Sequence, residues 1–233
     1  MSLLIYIAVS TLEYLSLFVF ILVQFRFSLK DNISQIALIS LLLSFVSYSI
    51  VNADMREILP LIQIVFVLLY MQLVMKVSFI NALIMFFTGY IVFGLAQTCI
   101  VAVARHIGYI HDKLMAGTTV GYTIQLITIL VMLVFSFALV YFKGGFSFIE
   151  ARSRLTRKSF TGKNKIFISF IIFAFIVTII TNIIFLEKEN PPLIEVASIF
   201  FVLMIFLFYL SIKRDEVNDR DSLQSSSRQI ERD

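Results

Sequence analysis

Charge is what this sequence most lacks. Of its 233 residues, 34 are Lys, Arg, Asp or Glu and 60% belong to the AVILMFWYC set, giving a mean hydropathy of +0.96. A water-soluble domain carries about 25% charged residues, and a surface this apolar would associate indiscriminately in water; a soluble globular protein is excluded. There is one cysteine, Cys99, so no intramolecular disulfide can form, and a lone thiol inside an apolar run reads as a packing residue. The three prolines, Pro60, Pro191 and Pro192, stand at or just before expected helix starts, where proline costs little. Tryptophan is absent, which leaves the interfacial aromatic role to Tyr6, Tyr48, Tyr122, Tyr141 and Tyr209 near the ends of the apolar runs.

Catalytic strings are missing too. No G-x-S-x-G, H-E-x-x-H or P-loop occurs, and no Ser/His/Asp or Cys/His set lies at common depth, so enzymatic activity is not expected. His106 and His111, followed by Asp112, fall in a short loop with no zinc-site spacing, and neither a metal nor a cofactor is expected.

What the sequence does have is seven charge-poor apolar runs, at about 3–25, 33–51, 58–75, 78–104, 117–142, 166–186 and 193–212. A helix rising about 1.5 Å per residue needs about 20 residues to cross a hydrocarbon core of about 30 Å. The runs are continuously apolar, without the period of two of a transmembrane strand. The expected fold is therefore all-α, a polytopic membrane bundle over residues 1–212 with about seven transmembrane helices, followed by a charged tail, 213–233, expected to be disordered. The first run has no basic flank ahead of Arg26 and no small-residue cleavage pattern, so it reads as a retained helix.

Lys and Arg distribute fifteen to four between alternate sides of the runs, with seven of the fifteen between Lys143 and Lys165. The positive-inside rule then puts the amino terminus outside and the carboxyl terminus in the cytoplasm, in a plasma membrane. The basic loop, which includes Arg152, Arg154, Arg157 and Lys158 interleaved with Phe146, Phe148, Ile149, Leu155 and Phe160, suits the anionic inner leaflet or a protein partner. Nucleic acid is not an expected partner, because no folded module presents the charges.

Glu13 is the most informative single residue. It lies mid-span in the first run, with Ser10 and Ser16 on its face and no basic residue within any span to pair with it. Its bland role is a neutral hydrogen-bonding carboxyl between helices; its functional role is contact with an ion, a proton or a ligand. Gln63, Gln97, Thr98, Gln125, Thr181, Asn182, Glu195 and Ser198 occupy the outer thirds of five helices, which leads to the expectation of an outward-facing, partly hydrated pocket. Gly89 and Gly94 in the fourth run, and the Gly117/Gly121 pair at the start of the fifth, fit bending or close helix packing.

Segment count, short loops, Glu13, the polar-spotted fourth helix (Thr88-Gly89-Tyr90, then Gly94-Leu95-Ala96-Gln97) and the basic loop before the sixth helix together resemble the transmembrane sensor half of accessory-gene-regulator-type peptide-sensing histidine kinases. In that family a dimerisation helix with a phosphorylatable histidine and an ATP-binding domain follow the last span. This sequence ends at Asp233, and neither His106 nor His111 is placed to substitute for that histidine. The resemblance implies a receptor-like sensor module that lacks its own kinase and signals through a cytoplasmic partner. The main rival is a small transporter, or a substrate-binding subunit of one, built on Glu13 and the outer amides. An intramembrane enzyme ranks third, with Glu13 and Cys99 as its only strong residues.

Overall fold

The computed structural model describes residues 3–53, 55, 58–110, 117–147, 149, 162–187 and 191–230. Within them the protein is all-α, with seven helices in chain order: α1 (Leu3–Gln24), α2 (Leu29–Asn52), α3 (Leu59–Leu73), α4 (Phe79–His106), α5 (Thr119–Tyr141), α6 (Gly162–Glu187) and α7 (Leu193–Ile230). Five of these, α1, α2, α4, α5 and the Leu193–Lys213 part of α7, are long and apolar enough to cross a membrane. α3 is shorter, with 15 residues, and spans about 22 Å at the α-helical rise. The described apolar stretch of α6 is Ile172–Thr181. These helices are what a multispan membrane protein requires.

The distribution of polarity agrees with that environment. On α5, Leu130, Val134 and Phe137 are exposed at 63%, 62% and 71%, a continuous outward apolar stripe, while Thr128 and Ser136 of the same helix are buried. Both hydroxyls return to their own helix, Thr128 Oγ1 donating to the Ile124 carbonyl at 2.9 Å and Ser136 Oγ to that of Met132 at 2.8 Å. In hydrocarbon this satisfies the hydroxyl locally.

α4 is the central strut, packed by α7, α5, α1, α3 and α6, and α1 makes its largest contacts with α2 and α5. Ile84, Met85, Phe86, Phe87 and Ile91 of α4 join Phe18, Ile21 and Leu22 of α1 in one core. The approach is close enough to need glycine: a Cβ on Gly89 would stand 2.3 Å from Ile21 Cγ1, and one on Gly94 would stand 3.1 Å from Phe200 Cε2. Both glycines thus serve close packing. Gly121 has a different use, its N–H donating to Thr118 Oγ1 at 3.0 Å in the N-cap of α5.

Helix ends follow a pattern. α1, α3 and α5 each run into a basic residue in the left-handed region, Arg26 (φ 56°), Lys76 (φ 56°) and Lys143 (φ 51°). At α1, the Arg26 N–H reaches the Val23 carbonyl at 3.1 Å and the Phe27 N–H that of Leu22 at 2.9 Å; at α5, Lys143 reaches Val140 at 3.1 Å and Gly144 reaches Leu139 at 2.8 Å. This is the Schellman arrangement, which usually takes glycine at the left-handed position. α4 ends the same way but with Gly108 (φ 75°). A cation at these C-termini compensates the negative end of the helix dipole.

α7 does not stop at the apolar boundary. Its helix continues to Ile230, where the density of charge predicts no order. Extending a formed helix needs no new nucleus, and the stretch from Leu193 to Ile230 contains neither glycine nor proline.

Candidate functional site

A band of polar groups crosses the bundle where α1, α2, α3 and α5 meet. Residues four apart on a helix share a face, so Tyr6, Ser10 and Tyr14 form one line on α1, with Thr11 and Glu13 to either side. On α2, Ser40, Ser44 and Ser47 repeat at i, i+4 and i+7, and all three are buried. The two helices meet through these lines. Tyr6 Oη lies 2.7 Å from Ser47 Oγ, and Thr11 Oγ1 lies 2.6 Å from Ser44 Oγ. Thr11 is also within 2.6 Å of the Ile7 carbonyl and Ser44 within 2.7 Å of the Ser40 carbonyl. One of the two protons therefore bridges the helices while the other stays on its own.

From the same band α1 reaches two further helices. Gln63 of α3 donates its amide to the Tyr14 hydroxyl. Gln125 Nε2 of α5 donates to Glu13 Oε2 at 2.9 Å. Glu13 is half-buried, and Oε1 has no described partner. A carboxyl group at this depth costs about 2.5–3.5 kcal/mol if ionised, and a primary amide is a partner it can keep without charge. Chemically the pair can exchange a donor: a ligand N–H or O–H presented to Oε1, or competing for Oε2, would tighten or release the contact between α1 and α5.

Those same two helices are joined again at their other ends. Arg26 donates Nε to the Gly144 carbonyl at 3.3 Å and Nη2 to the Lys143 carbonyl at 3.0 Å, and the Phe146 N–H donates to the Gln24 carbonyl at 2.7 Å. A Cβ on Gly145 would stand 2.7 Å from that carbonyl, and its φ of +98° is one that glycine tolerates. α1 and α5 are thus coupled at mid-span through Glu13 and at the basic end through Arg26.

The outer polar residues do not all meet. Gln63 and Gln125 join the band through Tyr14 and Glu13. Thr98 is buried and donates to the Gly94 carbonyl at 2.7 Å, Thr181 is buried on α6, and Gln97 is half-buried on α4. Glu195 and Ser198 are exposed on α7, with Ser198 Oγ donating to the Ile194 carbonyl at 2.8 Å. The side chain of Asn182, and Arg152, Arg154, Arg157, Lys158 and His111, lie outside the described residues. Cys99 is exposed rather than packed. Among the described residues no group of three His, Cys, Asp or Glu side chains could hold a metal ion.

Reasoning from the sequence missed Tyr6, Thr11, Tyr14, Ser44 and Ser47. The available signal was the i, i+4, i+7 serine line of α2 and the i, i+4, i+8 line of Tyr6, Ser10 and Tyr14 on α1. The chain matches no family model, no curated protein and no solved structure.

Proposed function

We propose that this protein is a receptor-like sensor of the plasma membrane with seven spans, its amino terminus outside and its carboxyl terminus in the cytoplasm. It binds a ligand or membrane partner near the outer polar band and signals through a cytoplasmic partner. The observation that carries this reading is the Glu13–Gln125 pair, a carboxyl group held across α1 and α5 by one neutral amide, in helices joined again at the end that leads into the basic loop. A ligand acts by binding one arrangement of α1 and α5 better than the other. The resemblance to peptide-sensing kinase sensor halves points the same way. The basic αL residues Arg26, Lys76 and Lys143 all sit on the side that the charge count assigns to the cytoplasm, where anionic lipid favours them.

Transport is the second reading, favoured by Glu13 itself, since an intramembrane carboxyl is a common proton or ion contact. The test is purification of tagged protein from its native membranes in gentle detergent, with bound proteins and small molecules identified by mass spectrometry. A stoichiometric cytoplasmic partner that is lost when Arg152, Arg154, Arg157 and Lys158 are neutralised, but kept by Glu13→Gln, supports sensing. Gradient-driven uptake into proteoliposomes that disappears in Glu13→Gln replaces it with transport.

A further inference from the structure

The bundle carries a second feature, at the opposite end from the Glu13 band and independent of the sensing proposal. α5 and α7 both pack on α4 and leave between them a cavity of about 320 Å³. Buried Phe20 of α1 and Val92 of α4 form its floor, and Ala138 of α5, Phe142 at the C-cap of that helix and Phe208 of α7 are among its walls. Phe135 and Phe142, seven residues apart and exposed at 43% and 77%, both border it, so it opens along the outward apolar face of α5.

One polar side chain lines this space. Gln24, the last residue of α1, is 2% exposed, and neither its Nε2 nor its Oε1 has a hydrogen-bond partner. A buried primary amide with both polar atoms unsatisfied is costly, and in native folds such a group calls for a missing partner. Two residues further on, exposed Arg26 is pinned by its bonds to the Lys143 and Gly144 carbonyls, and Lys143 is itself exposed. The site therefore combines a laterally open apolar slot, an unsatisfied amide, and two cations where the helices end.

We propose that this cavity holds one acyl chain of an anionic membrane phospholipid. The chain fills the space over Phe20 and Val92, an ester carbonyl accepts from Gln24 Nε2, and the phosphate lies against Arg26 and Lys143. The lateral opening selects a lipid already resident in the bilayer over a free fatty acid arriving from water. Ordering a lipid here also links α1, α5 and α7 at the end where the basic loop begins.

The test uses the full chain in phosphatidylcholine nanodiscs with a small fraction of phosphatidylglycerol carrying a photoactivatable diazirine in its acyl chain. The expected result is labelling confined to peptides spanning residues 135–146 and 204–208. Unlabelled phosphatidylglycerol should compete for the label and phosphatidylcholine should not. Ala138→Phe, which fills the slot, should reduce labelling at least about fivefold, while Leu130→Phe on the exposed face of α5 should not. Label spread equally over the exposed faces of α2 and α5, or unchanged in Ala138→Phe, overturns the proposal; label displaced by free fatty acid but not by phosphatidylglycerol overturns the phospholipid as its source. The competition needs only the wild-type protein, so it decides the matter even if Ala138→Phe does not fold.

Discussion

Glu13 illustrates how much one side chain can and cannot disclose. Its depth and its lack of a basic partner are readable from the sequence, since Glu13 stands midway along a 22-residue apolar helix, Leu3–Gln24. Its partner is not readable. Gln125 lies 112 positions away, and helical period fixes which residues share a face but not which neighbour that face meets. Replacing Glu13 by Gln keeps a group that can hydrogen-bond Gln125, so the variant should fold with stability within about 1 kcal/mol of wild type. Glu13→Leu leaves the Gln125 amide without its acceptor and should cost about 1–3 kcal/mol. Reversible unfolding in mixed micelles distinguishes the two variants, and equal losses would show that the pair contributes nothing specific. The Tyr14–Gln63 bond is expected to give a coupling of about 0.5–1.5 kcal/mol in a double-mutant cycle of Tyr14→Phe with Gln63→Leu. Each of these tyrosines, threonines and serines is unremarkable alone in a membrane helix; only where Tyr6 meets Ser47 and Thr11 meets Ser44 do they make a site.

At the scale of elements, helix positions follow directly from the apolar runs, and the departures have local causes. α7 outruns its apolar segment because nothing in its sequence breaks a helix. The close crossing of α1 and α4 depends on Gly89, and no periodicity reveals that Ile21 is what meets it. Gly89→Val should therefore cost about 1–3 kcal/mol by overpacking, with part of that loss restored by Ile21→Ala; an unchanged melting temperature in the single variant would contradict the crossing. The basic αL ends make a prediction of opposite sign. Arg26→Gly and Lys143→Gly relieve a left-handed conformation costing about 1–2 kcal/mol per L-residue. In neutral detergent each should thus raise stability by a fraction of that, even though Arg26→Gly also removes the bonds to the Lys143 and Gly144 carbonyls. In vesicles rich in phosphatidylglycerol the gain should shrink or reverse, because the cations there meet anionic lipid.

For the whole molecule, the sequence supplies the class and the charge asymmetry, while the arrangement of helices around α4 has no signature in a single chain. Seven spans with the amino terminus outside require Tyr109 and Ser28 to face opposite sides of the membrane. In a Cys99→Ser background, Tyr109→Cys should react with an impermeant maleimide on intact cells and Ser28→Cys only after permeabilisation; the reverse pattern would invert the proposed orientation. The functional proposal rests on a narrower point, that α1 and α5 move as a coupled pair, so that a change at Glu13–Gln125 is felt where Arg26 meets the start of the basic loop. The most direct measurement is the distance between spin labels at Ser28→Cys and Tyr141→Cys, in Cys99→Ser protein reconstituted in nanodiscs, with and without Gln125→Leu. One narrow distance in the parent protein, shifted or split into two by Gln125→Leu, is the expected result. Identical narrow distributions in both proteins would contradict it, leaving Glu13–Gln125 a packing contact with no reach to the cytoplasmic end.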